Sequence, residues 1–234
     1  MRHSRPPRLA LAPVVFLVAA AGACHSPSGP SGPSVLLTAN AVDPASVDAV
    51  SKFHSCSGHA FPDGSPNSAK NYFWPNSTNF STNDRLREFA ACDGMVSQNS
   101  DDTDPNEQDR GRTYHLFCDN SSTMVRYFHL NLTSVALGAH VHAGDVLGFG
   151  AMVGTGQAPS ATWQNSSNID IAVSDGDDNQ TENYFSKLNA SALAAWASRG
   201  VTDPSQTINA GSPACSDFLS GVGSPDIFSF TPTL

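Results

Sequence analysis

The sequence predicts a mainly β domain of antiparallel strands with Gly-rich hairpins and one late α-helix. Three observations carry this. Apolar and polar residues alternate over Thr113–Asp119 and Thr123–Leu132, the period of a half-buried strand. Glycines at 138, 144, 148, 150, 154 and 156 cut the following stretch into short strands. Only Ala190–Arg199 reads as a convincing helix, with Asn189 as its cap and Gly200 to close it in the left-handed conformation.

Taken in order, residues 1–23 read as a signal peptide. Arg2, Arg5 and Arg8 form a basic region before the apolar run Leu9–Ala21, which is short for a bilayer span. Ala21-Gly22-Ala23-Cys24 resembles a bacterial lipoprotein box, which implies lipidation of Cys24; the plainer alternative is an ordinary secretory signal cut near Ala23. Residues 24–52 read as a Ser/Pro/Gly tether and an arm broken at Pro44. Residues 53–234 make the domain, long enough for one real core.

From Phe53 to Asp84 loops are expected to dominate, with Phe61, Tyr72, Phe73 and Trp74 packing on the sheet rim. Arg87–Ser97 is expected to be the first core strand. Thr113–Asp119 and Thr123–Leu132 should pair through Asn120-Ser121-Ser122. Tyr114, Leu116 and Cys118 are expected to share a face with Met124, Arg126, Phe128 and Leu130, leaving Val125, Tyr127 and His129 on the other. Leu193, Ala194 and Trp196 should supply the helix's packing face.

Losing residues 1–23 would take Lys+Arg from 12 to 9 against 21 Asp+Glu, a formal charge of -12. Such a surface repels nucleic acid phosphates, so no nucleic acid partner is expected. Besides Cys24, four cysteines remain, and an even count in an exported domain reads as two disulfides. Of three possible pairings, Cys92–Cys118 is favoured because each lies at one end of the expected hairpin; Cys56–Cys215 would then tie the ends of the domain together. No Cys-x-x-Cys spacing supports a zinc-thiolate site.

The stretch Met124–Gly156 carries the strongest motif. Tyr127-Phe128-His129-Leu130 is followed by Gly138-x-x-Val141-x-x-Gly144-x-x-Leu147-Gly148, and His59-Ala-Phe-Pro-Asp63 precedes both. In this order the motifs resemble the lysostaphin-type (LytM-like) zinc endopeptidases, which cut cell-wall peptide bridges. The resemblance implies that fold, with a groove over the sheet. It implies two zinc ligands from an H-x-x-x-D motif, here His59 and Asp63. The histidine of Y-x-H-L, here His129, would stabilise the transition state by donating to a developing oxyanion.

The family's H-x-H strand supplies a general base and the third zinc ligand. Here those positions hold Asn168 and Asp170. Asn168 cannot take a proton from water at neutral pH. Asp170 can still bind metal, although a carboxylate-rich set favours harder ions. Two readings follow. In the first, an exported, membrane-anchored envelope lipoprotein uses a degenerate groove, without a cofactor, to bind a cell-wall peptide or an envelope protein. In the alternative, His59, Asp63 and Asp170 hold zinc, His129 assists, and the chain is an active endopeptidase. His140-Val141-His142 is a literal H-x-H, but lies too early in the chain to be the catalytic strand.

Overall fold

A computed structural model describes residues 36–58, 60, 66–76, 86–98, 111–132, 135–150, 168–175, 180–211, 214–215 and 226–230. The expected signal peptide, Cys24, His59 and Asp63 lie outside the described residues. The strands are β1 (Val47–Ser51), β2 (Asn71–Pro75), β3 (Arg87–Phe89), β4 (Gly94–Gln98), β5 (Arg112–Cys118), β6 (Thr123–Leu132), β7 (His140–Val141), β8 (Val146–Gly150), β9 (Ile169–Asp175), β10 (Thr181–Glu182) and β11 (Ile227–Ser229). All strand pairings are antiparallel, in the order β11-β1-β2-β9-β6-β5-β4-β7, with β10 on β9 and β8 bridging β3 and β6. This is the mainly β fold the sequence predicts.

One sheet face builds the main core. Val50, Phe73, Ile169, Ile171, Val173, Val125, Tyr127 and Leu116 all belong to it. The helices α1 (Tyr184–Lys187) and α2 (Ala190–Ala194) cover this face. Phe73 meets Tyr184 edge-on at 5.7 Å and Trp196 at 6.2 Å, and Trp196 stacks at 5.0 Å on Phe230. Asn189 caps α2 by accepting from the Ala192 amide, and Gly200 closes the following turn at φ 97°. The buried positions are Ala192, Trp196 and Arg199, with Leu193 half-buried; Ala194 is exposed, contrary to expectation. After Ala194 the chain tightens into a 3-10 turn over Ala197–Arg199, which rotates the buried stripe.

Two segments read as peripheral are central. Leu37, Ala41 and Val42 of the expected arm are fully buried, and β1 pairs with both β2 and β11. The run Asn71–Pro75, expected among rim loops, is a buried strand between β1 and β9. It is apolar on both faces, so it shows no alternation.

The β5–β6 hairpin forms around Asn120, which has φ 52°. Its faces differ from the expected ones. Phe117 pairs with Met124 and Leu116 with Val125, so Tyr114 and Leu116 share the core face with Val125 and Tyr127. Met124, Arg126 and Phe128 point to the other face. The four-residue turn sets this odd register, and a one-residue slip exchanges the faces of a strand. Both expected disulfides form, Cys92–Cys118 and Cys56–Cys215, with Cα separations of 5.7 and 5.5 Å.

Candidate functional site: a buried lysine–aspartate pair beside His129

β6 changes partner halfway along. Thr123–Phe128 pair with β9, whereas Leu130–Leu132 pair with β8. On its other edge the β5 register slips by one residue between Tyr127 and Leu130. His129 sits at this fork with φ 61°, a left-handed conformation that costs a non-glycine residue about 1–3 kcal/mol. The bulge lets Leu130 return to the core while His129 turns aside. Gly111, at φ 73°, packs against this corner; a Cβ there would lie 2.4 Å from the His129 carbonyl carbon. Gly148 permits the β6–β8 approach, since its Cβ would meet the Asn131 carbonyl oxygen at 2.0 Å.

The sheet face opposite the main core carries the polar cluster. Tyr72, Asp170 and Phe128 stand side by side across β2, β9 and β6. Lys70 immediately precedes β2, and its ammonium donates to Asp170 Oδ2. Both residues are essentially inaccessible, at 1% and 0% exposure. The Lys70 ammonium also lies 4.1 Å from the Phe128 ring centre and 4.9 Å from that of Tyr72. His129 Nε2 lies 3.3 Å from the second carboxylate oxygen of Asp170, with His129 23% exposed. The cluster is therefore a sealed amine–carboxylate pair with an imidazole at its partly open edge.

Burial pulls the Lys70 amine below its usual range. The Asp170 charge and hydrogen bond oppose this, and the Arg126 charge adds to it. Glu88, on β3, is fully buried with neither carboxyl oxygen hydrogen-bonded. Burial first, then the Asp170 charge, raise its pKa well above the usual carboxylate value, which favours the neutral acid. Tyr127 faces the core instead; its hydroxyl accepts from the Ala91 amide and donates to the Phe89 carbonyl, tying β6 to β3.

Of the residues singled out in the sequence, the structure brings His129 and Asp170 together. Asn168 is buried two residues before Asp170 on the same strand run. Among the described residues, no three His, Cys, Asp or Glu side chains form a group able to hold a metal ion. A lysine ammonium already bonds the carboxylate of Asp170. His140 and His142 meet edge to face at 5.6 Å, and each lies beside its own carboxylate: His140 Nε2 is 2.6 Å from Asp119, and His142 Nδ1 is 3.6 Å from Asp93. Sequence reasoning missed Lys70 and Glu88. A signal existed for Lys70, one of only three lysines, placed two residues before the apolar run Tyr72-Phe73-Trp74.

No family model matches the chain, and no curated protein matches it. Among solved structures it is similar to the catalytic domain of the antimicrobial peptidase lysostaphin from Staphylococcus simulans, at 14% identity over 58% of this chain and 87% of that one, with a TM-score of 0.40. It is also similar to the longer lysostaphin structure, at 12% identity, 69% and 56% coverage, and a TM-score of 0.45. A zinc-containing peptidase from Vibrio cholerae shows 18% identity, 64% and 39% coverage, and a TM-score of 0.40. The chain thus spans about half the length of the second and less of the third. Likeness at this level assigns no family and no activity.

Proposed function

We propose that the chain is an exported envelope lipoprotein, anchored through Cys24, whose peptidase-like domain binds a cell-wall peptide or an envelope protein without cutting it. The observation that carries this reading is the Lys70–Asp170 pair. In the resemblance drawn from Tyr127–Leu130 and Gly138–Gly148, Asp170 stands where the third zinc ligand belongs. Here its negative charge is answered by an internal cation. An ammonium cannot polarise water to a hydroxide nucleophile as a metal ion does. Asn168, at the general-base position, has no proton affinity to replace it. His129 remains as a polar group at the edge of the cluster, suited to hydrogen-bonding a peptide carbonyl.

The test is to incubate the purified protein with cell-wall fragments, then measure sedimentation with insoluble wall and release of new amino groups. Retention on the wall without release supports the reading. Chelator-sensitive release of amino groups overturns it in favour of the zinc endopeptidase. Absence of retention removes the wall peptide as the ligand and leaves an envelope protein.

A further inference from the structure

We propose that Lys70 and Asp170 condense to an intramolecular isopeptide bond, which covalently staples β9 to the residue that opens β2. The inference stands apart from the groove's role. It rests on three features of the cluster. The amine and the carboxyl are in direct contact across neighbouring strands, although 100 residues apart in the chain. Both are shut away from water, at 1% and 0% exposure, under the rings of Phe128 and Tyr72. The imidazole of His129 lies 3.3 Å from the other carboxylate oxygen of Asp170.

These features favour condensation in separate ways. Burying two charges is costly, and proton transfer within the contact removes both, leaving a neutral amine and a neutral acid. A desolvated lysine amine is a competent nucleophile. Contact within a packed sheet supplies the effective concentration that free amines and acids lack in water. Exclusion of water opposes the reverse hydrolysis.

The step balances without an oxidant or an added reactant. Asp170 Oδ2 takes a proton from the Lys70 ammonium, to which it is hydrogen-bonded. Lys70 Nζ then attacks Asp170 Cγ, forming the C–N bond. His129 Nε2, 3.3 Å from Oδ1, is placed to stabilise the charge that develops there. Oδ2 receives a second proton, originating on Nζ, and leaves as water as the C–O bond breaks. That proton passes from Nζ to Oδ2 within the tetrahedral intermediate. The product is an amide and one water, with His129 unchanged.

Mass spectrometry of the purified full-length protein decides it. After reduction, alkylation and trypsin, the linked protein resists cleavage at Lys70. It yields a branched species joining residues 53–85 to residues 127–187, lighter by one water than the two together. Lys70→Arg keeps the cation but cannot condense in this way, and it is expected to abolish the branched species. Asp170→Asn is expected to retain it, with ammonia lost in place of water. Wild-type protein that is cut normally at Lys70, giving residues 53–70 and 127–187 at their sequence masses, overturns the proposal whether or not any variant folds.

Discussion

Removing Lys70 leaves the Asp170 carboxylate in a place with no access to water, and this gives the sharpest energetic prediction. An exposed ion pair contributes about 0–1 kcal/mol. Lys70 and Asp170 are 1% and 0% exposed, so they belong to the buried class, where deleting one partner costs about 3–5 kcal/mol. His129 also approaches Asp170, but at 3.3 Å and 23% exposure it compensates only in part. Lys70→Met should therefore lose about 3–5 kcal/mol, a large fraction of the roughly 5–15 kcal/mol that holds a domain folded. Lys70→Met with Asp170→Leu replaces the pair by apolar side chains under Phe128 and Tyr72. It should recover most of that loss, leaving the double variant much more stable than the two single losses added together. Urea unfolding of the wild type, both single variants and the double variant measures this. A covalent link would deepen the single-variant losses without changing their sign. Losses below about 1 kcal/mol in Lys70→Met, or single losses that simply add in the double variant, would refute the reasoning.

Further expectations follow from the same packing. The folded-state pKa of Glu88 is raised well above 4.5, so the unfolded chain ionises first as pH rises. The folded state then holds the extra proton, and stability falls from about pH 4.5 upward until the folded carboxyl itself ionises. Glu88→Gln should be more stable than the wild type at pH 7 and nearly equal to it at pH 4, as urea midpoints at the two pH values will show. The Cys56–Cys215 disulfide closes 159 residues and Cys92–Cys118 closes 26. Loop entropy gives about 5 and about 3.5 kcal/mol respectively, so paired Cys→Ser variants should lose stability in that order. Asn189→Ala removes the side-chain cap on the Ala192 amide and should cost about 1 kcal/mol, read as a fall in the urea midpoint.

Local patterns were legible in the sequence, and long-range parity was not. The β5–β6 hairpin shows in the alternation and in the turn-forming Asn120-Ser121-Ser122, while Cys92–Cys118 joins the residues before β4 to the end of β5, its paired neighbour. The faces of β6 were exchanged because they depend on whether Phe117 meets Met124 or its neighbour, a one-residue matter that alternation does not encode. The bulge at His129 adds a second shift, and nothing in Tyr127-Phe128-His129-Leu130 announces a positive φ at a histidine. β2 was missed because burial on both faces erases its period and Pro75 ends it. In the cluster, His129 and Asp170 stood out through motif order. Lys70 did not, because a lysine beside Ser68 and Ala69 reads as solvated loop. Its partner is 100 residues away, and only the β2–β9 pairing brings them together.

The measurement that tests the central claim most directly is the zinc content of the purified full-length protein after dialysis, beside its Asp170→Ala and His59→Ala variants. With Lys70 holding Asp170, the account predicts well under one zinc per chain in the wild type and no change in either variant. About one zinc per chain, lost in both variants, would contradict it and make Asp170 a metal ligand rather than the partner of Lys70.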